Sequence, residues 1–170
     1  MPPNIALVID LATDNKHRVM EHMNNYIKKA KGGKSPTKFF FERRGRVVFE
    51  KGESGLDVDD IMEDAIEAGA EDLENDQEGN IVVWCDPSST SNISKTVGPK
   101  FNLKIIESGI VWRANEETMV PLDSSEEFEK FLELLETLKD YPDVQAIWSN
   151  VAKGNMDDDE WTRITELINR

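Results

Sequence analysis

The residues best placed to do chemistry in this sequence are cations. Lys28, Lys29, Lys31, Lys34, Lys38, Arg43, Arg44 and Arg46 crowd one stretch, with Phe39, Phe40 and Phe41 in their midst. Aromatic rings beside Arg and Lys suit single-stranded or structured RNA, because the rings stack on unpaired bases while the cations meet phosphate. The rival reading is a solvated face beside a buried edge. Three adjacent phenylalanines also occur in core strands, and Lys28, Lys29 and Lys31 fall where a helix C-terminus carries partial negative charge. Lys16 and Arg18 add donors beside the turn Thr13-Asp14-Asn15. The candidate nucleic-acid contacts are therefore Lys16, Arg18, Lys28, Lys31, Lys34, Lys38, Arg43, Arg44 and Arg46.

Other reactive groups do not converge. Cys85 is the single cysteine and the two histidines, His17 and His22, lie far from it in sequence. A zinc site or a Cys/His nucleophile pair is thus poorly supported. His17 and His22 stand five apart and do not stack on one helix side; structural histidines are the default. Cys85 reads as a small apolar filler at a strand end. The acidic clusters Asp57-Asp59-Asp60, Asp72-Glu74-Asp76 and Asp157-Asp158-Asp159-Glu160 lack the loop spacing and terminal glutamate of a calcium-binding EF-hand. They read as helix starts and turns. There is no glycine-rich phosphate cradle and no G-x-S-x-G elbow. The expectation is a chain that is not an enzyme and has no cofactor, no metal and no catalytic residues.

Charge is divided along the chain. Through Lys51 there are 11 Lys and Arg against 5 Asp and Glu, a net +6, and beyond it 9 against 29, a net −20. The total of −14 opposes general adhesion to nucleic acid, since counterion release needs cations at the contact, but a local basic face can still bind. No apolar run approaches the roughly 20 residues that cross a bilayer, so no membrane partner is expected.

The elements that must position these residues follow from periodicity. Asn4 to Ala12 reads as a buried strand through Ile5, Leu7, Val8, Ile9 and Leu11. Thr13 or Asp14 then caps a helix carrying Val19, Met20, Met23, Tyr26, Ile27 and Ala30 at helical spacing, with Gly32-Gly33 to stop it. Lys38 to Phe41 and Arg46 to Glu50 read as extended, with a break at Gly45. Asp57 caps a second helix that Gly69 ends, and Glu71 to Asn75 pairs with Asn80 to Cys85 as a hairpin. A weaker helix covers Ser88 to Val97, and a strand covers Leu103 to Trp112. Ser124 with Glu127 forms a capping box for a helix carrying Phe128, Phe131, Leu135 and Leu138. Asp143 to Ala152 is a strand, and Asp157 to Arg170 an amphipathic helix. At 170 residues the chain holds one ordinary domain or two small ones. A nested division accommodates these elements best.

Five collinear segments carry a resemblance. They are Thr13-Asp14-Asn15-Lys16-His17-Arg18, Ile66-Glu67-Ala68-Gly69-Ala70-Glu71-Asp72-Leu73, Trp84-Cys85-Asp86-Pro87, Met119-Val120-Pro121-Leu122-Asp123 and Asp143-Val144-Gln145-Ala146-Ile147-Trp148-Ser149-Asn150. In this order and spacing they resemble the YebC family, which includes bacterial YebC proteins and the mitochondrial translational activator of cytochrome c oxidase subunit I. The resemblance implies an α+β fold of two ferredoxin-like βαββαβ units, one inserted in the other. The outer unit takes residues 1–45 and 113–153, the inserted unit 46–112, and a C-terminal helical extension 154–170. Each unit should set two helices on one face of a four-stranded sheet. Family members begin with a small basic helical domain, so a truncated or trimmed product lacking it is expected. Lys16-His17 stands where the family has Arg-Asn, and Lys34-Ser35-Pro36 replaces a more glycine-rich continuation.

The resemblance also implies a non-catalytic, ribosome-associated translation factor. Its basic edge would contact ribosomal RNA, and its acidic inner unit would face a nascent chain or a basic ribosomal protein. The alternative it implies is a DNA-binding transcriptional regulator. The expected compartment is the mitochondrial matrix, because the loop departures and the extra tail differ from the bacterial pattern, with bacterial cytoplasm as the alternative.

Overall fold

A computed structural model of the chain describes residues 4–51, 55–76, 78–123 and 126–169. The fold is α+β. The chain divides into two compact units, Met1–Glu42 with Trp112–Arg170 (unit 1) and Arg43–Val111 (unit 2). These limits differ from the expected 45/46 and 112/113 because they fall inside two strands, where periodicity gives no sign of a boundary. Residues 154–169, expected as an extension, lie within unit 1.

Unit 2 contains most of β2 (Phe41–Phe49), then α2 (Val58–Glu67), β3 (Ala70–Asn75), β4 (Ile81–Cys85), α3 (Thr90–Phe101) and most of β5 (Ile105–Ala114). The sheet order β3-β4-β2-β5 with antiparallel β2-β4 and β3-β4 is that of a ferredoxin-like βαββαβ unit. Alternation puts Val47 and Phe49 of β2 with Ile81, Val83 and Cys85 of β4 on the face that α2 and α3 cover through Ile61, Ala65, Ile93 and Val97. Asp57 caps α2 as expected, in a reciprocal box with Asp60. Gly69, at φ 107°, makes the turn into β3 that an L side chain resists.

The expected break at Gly45 is absent, and β2 runs straight through it. A Cβ on Gly45 would lie 2.5 Å from Thr90 Oγ1 and 2.6 Å from Cys85 Sγ, so this glycine admits close packing rather than ending a strand. Lys38 to Phe40, expected to be extended, form a turn in which the Phe40 and Phe41 amides donate to the Thr37 carbonyl.

Unit 1 contains β1 (Leu7–Leu11), α1 (Lys16–Lys29), a 3-10 turn (Glu116–Thr118), β6 (Val120–Leu122), α4 (Glu126–Lys139), β7 (Val144–Ser149), β8 (Val151–Lys153) and α5 (Asp158–Leu167). Its strands form two pairs, antiparallel β1-β7 and parallel β6-β8, in place of one four-stranded sheet. The expected single strand Asp143 to Ala152 is interrupted at Asn150. Phe128, Phe131, Leu132, Leu135 and Leu138 of α4 are buried against Val19 and Met23 of α1 and Ile147 of β7, each contributing about 2 kcal/mol. Ile164 and Ile168 join the same core, and Asn169 bonds to Ile147, so the last helix is part of the body. The Ser124–Glu127 capping box lies outside the described residues. No helix among the described residues is long and apolar enough to cross a membrane.

Asn150 explains the interruption. Its buried amide accepts from the Ala6 amide (2.7 Å) and donates to the carbonyls of Thr118 (2.7 Å) and Asn4 (3.2 Å), while its own carbonyl accepts from Val120 (2.8 Å). One side chain thus ties β7–β8 to the segments entering β1 and β6. Asn150→Ala strands those groups out of water and is expected to cost about 3 kcal/mol, measured as a lowered urea midpoint at unchanged m-value.

A second local lock has a pH signature. Asp76 accepts from the Glu78 and Asn80 amides and the Asn80 side chain, closing the β3–β4 turn. Burial pushes this carboxyl up, but bonds from Asn80, Glu78 and Gly79 outweigh it and hold Asp76 below the ordinary 3.8. The folded value is the lower one, so the stabilisation is complete above about pH 4 and disappears as pH falls through the folded value. The stability gap between the natural chain and Asp76→Asn should therefore shrink below about pH 4 in urea titrations across pH.

Candidate nucleic-acid interface

The turn before α1 is built by Thr13 and Asn15. Thr13 Oγ1 accepts from the Asn15 amide, and Asn15 Oδ1 accepts from the Arg18 amide, so Asn15 is the cap and not Thr13 or Asp14. Beyond it Lys16, His17, Glu21, Asn25, Lys28 and Lys29 are exposed or half-buried, away from the buried Val19 and Met23. Lys16, Asn24 and Lys28 line a shallow surface concavity of about 730 Å³. At the far end Lys31 takes the left-handed conformation (φ 59°) that the following glycines were expected to supply, and the Gly32 amide donates to the Ile27 carbonyl.

The three phenylalanines have three fates. Phe41 is buried, Phe40 is half-buried, and Phe39 is 73% exposed, set edge-on to Phe40 with ring centres 5.6 Å apart. The Phe40 carbonyl accepts from the Asn115 amide at 2.8 Å, which anchors the turn beneath Phe39.

The nine candidate cations are divided between the two units. Lys16, Arg18, Lys28, Lys31, Lys34 and Lys38 belong to unit 1, whereas Arg43, Arg44 and Arg46 belong to unit 2. Arg44 and Arg46 share the face of β2 opposite its core, and each meets a carboxylate of the same sheet, on β3 and β5 respectively. Arg44 pairs with Glu71 at 2.6 Å, and Arg46 pairs with Glu107 at 3.2 Å and lies over the Trp84 ring. Trp84 in turn donates to Glu74 at 2.7 Å. A ladder Glu74–Trp84–Arg46–Glu107 therefore crosses the whole sheet, and Arg44 and Arg46, expected as free cations, are engaged by carboxylates within unit 2. Arg43 is exposed. Arg18 sits 3.9 Å from both Asp14 and Asp143. Among the described residues no ion pair engages Lys16, Lys28, Lys31, Lys34 or Lys38. The sequence does not separate these two groups, because it does not show which carboxylates the sheet register delivers.

His22 shares a 2.8 Å hydrogen bond between its Nδ1 and the Tyr141 hydroxyl, a structural role. Among the described residues no cluster of three or more His, Cys, Asp or Glu could hold a metal. Cys85 is fully buried beside Thr90. Burial, reinforced by the nearby Glu71, raises its thiol above the ordinary range despite the Thr90 contact and Arg44.

A family model described as the TACO1/YebC second and third domain matches residues 1–151. The chain belongs to the TACO1/YebC family. A relative from Halothermothrix orenii is 29% identical over 157 residues, covering 88% of this chain and 58% of its own length. One from Francisella tularensis subsp. tularensis is 34% identical over 153 residues with the same coverage. Both are named probable transcriptional regulatory protein. This chain thus spans just under three fifths of these relatives. The conserved hypothetical protein Aq1575 from Aquifex aeolicus has a similar fold, with a TM-score of 0.68 at 22% identity over 91% of this chain and 63% of its own.

The segments that carry the family resemblance are largely architectural here. Asn15 caps, Gly69 turns, Cys85 fills and Asn150 clamps. Native protein is accordingly expected to leave Cys85 unmodified by a thiol reagent such as Ellman's, with one thiol titrating only after denaturation.

Proposed function

We propose that this TACO1/YebC chain is a non-catalytic regulator of gene expression that acts by binding, with unit 1 contacting single-stranded or structured RNA of the ribosome. The observation that carries the reading is Phe39. An exposed ring beside Lys38 and close in sequence to Lys34, neither of them ion-paired among the described residues, is a stacking platform with phosphate contacts next to it. Lys16 and Lys28 on α1 extend the cationic surface. The chain beyond Lys51 carries −20, so polyanion is confined to this region by repulsion elsewhere. In this reading the factor serves translation, and its acidic part faces a nascent chain or a basic ribosomal protein. The relatives' names speak of regulation, which supports a binding role over an enzymatic one.

A second reading, a DNA-binding transcriptional regulator, has specific support in those same names. The exposed face of α1, with Asn24 and Asn25 between Lys16 and Lys28, has the residue types that read a major groove. The reported relatives are bacterial, which favours bacterial cytoplasm over the mitochondrial matrix as the compartment.

The two readings part in one anisotropy experiment at physiological salt, with a single-stranded RNA of about twelve nucleotides against duplex DNA. The RNA is expected to bind more tightly. Phe39→Ala should cost about 1 to 3 kcal/mol of that affinity. Lys38→Glu should make the fall of log affinity with log salt shallower, by about 0.7 for each phosphate that is no longer neutralised. Preference for the duplex, or indifference to Phe39→Ala, would transfer the case to the transcriptional reading.

A further inference from the structure

Independently of the polyanion contact, unit 1 carries an unfinished sheet edge. Among the described residues β7 is the only strand beside β1. The register settles which backbone groups of β1 that pairing leaves over. The Ile147 amide and carbonyl bond to Asn169, away from β1, so Ile9, directly opposite Ile147, is a non-bonded pair. Val8 and Asp10 are then the residues that bond to β7, in step with the bond from the Asn150 amide to the Ala6 carbonyl. Leu7, Ile9 and Leu11 aim their N–H and C=O groups to the other side, where no described residue receives them.

Beside that edge is an open cavity of about 550 Å³ whose wall includes Leu7, Ile9, Leu11, Met20, Ile27 and Phe40. The volume lies within the range of ordinary ligand sites. The side chains of the three edge residues face this space while their backbone groups point out of the sheet. Gly33 and Lys34 form part of the wall contributed by the loop after α1. Lys34 is the one charged group among the lining residues, and it has no ion-pair partner among the described residues.

We infer that β1 is a docking edge for an extended acidic peptide of a partner protein, which adds as a strand and places alternate apolar side chains in the cavity. Unpaired N–H and C=O groups call for a peptide backbone and not for an aliphatic tail, which has nothing to offer them. The lysine at the wall selects a carboxylate-bearing segment.

The test uses the full chain and a fluorescein-labelled peptide of alternating valine and threonine with aspartate at both ends, compared with the same peptide ending in lysine. The acid-ended peptide is expected to bind about tenfold more tightly. Lys34→Glu should weaken it about fivefold or more. Gly33→Trp should block it, since a Cβ there meets nothing within 4 Å and the ring can fill the mouth without disturbing the fold. RNA affinity is expected to survive Gly33→Trp, so failure here is distinct from failure of the RNA reading. Hydrogen exchange followed by NMR supplies the backbone signature. The Leu7, Ile9 and Leu11 amides exchange fast in the free chain and slow by about tenfold or more with peptide, whereas Val8 and Asp10 are already slow. Equal binding of both peptides, indifference to Gly33→Trp, or protection of Leu7, Ile9 and Leu11 in the free chain would overturn the proposal. So would a concentration-dependent dimer that protects those amides without peptide.

Discussion

The arrangement of unit 1 depends on one buried amide. Asn150 stands where the last long strand would otherwise run on, and its side chain holds the entry to β1 and the turn before β6. A carboxamide suits this position because it offers an acceptor and two donors in one plane without a charge to desolvate. The consequence reaches the surface. Thr118, whose carbonyl receives one Asn150 bond, lies in the turn whose Asn115 amide holds the Phe40 carbonyl, and Phe40 supports the exposed ring of Phe39. Core satisfaction and the candidate contact surface are thus joined by a short chain of hydrogen bonds.

Charge is organised by sheet geometry as much as by composition. Successive side chains of β2 alternate between faces, so Arg44 and Arg46 are carried onto the same surface as Glu71, Glu74 and Glu107. Arg46 lies between a carboxylate and an indole ring, with its side chain only 18% exposed. Such a group is committed to the sheet. Among the described residues Lys16, Lys28, Lys34 and Lys38 on α1 and the following loop make no ion pair, while Lys31 acts on Glu126 of α4. The surplus of cations in the first part of the chain is expressed mainly there.

The same loop borders two surfaces of different chemistry. On one side Phe39 and Lys38 present a ring and a cation to solvent. On the other, Gly33 and Lys34 wall the cavity beside β1.

Much of the fold was legible in the residues themselves. Asp57 announces α2, the apolar spacing from Phe128 to Leu138 announces α4, and the polar stretch after Asn75 announces the hairpin, because caps, stripes and turns are local properties. The family was legible for a related reason, since Asn15, Gly69, Cys85 and Asn150 do jobs that few other residue types can do. Three things were decided only by tertiary structure. Gly45 looks like a break until Cys85 and Thr90 come within reach of it; Arg44 and Arg46 look available until register sets Glu71 and Glu107 beside them; β1 looks like a buried strand until β7 proves to be the only strand beside it among the described residues. Each depends on residues far apart in the chain meeting in space, and periodicity carries no information about who the neighbour will be.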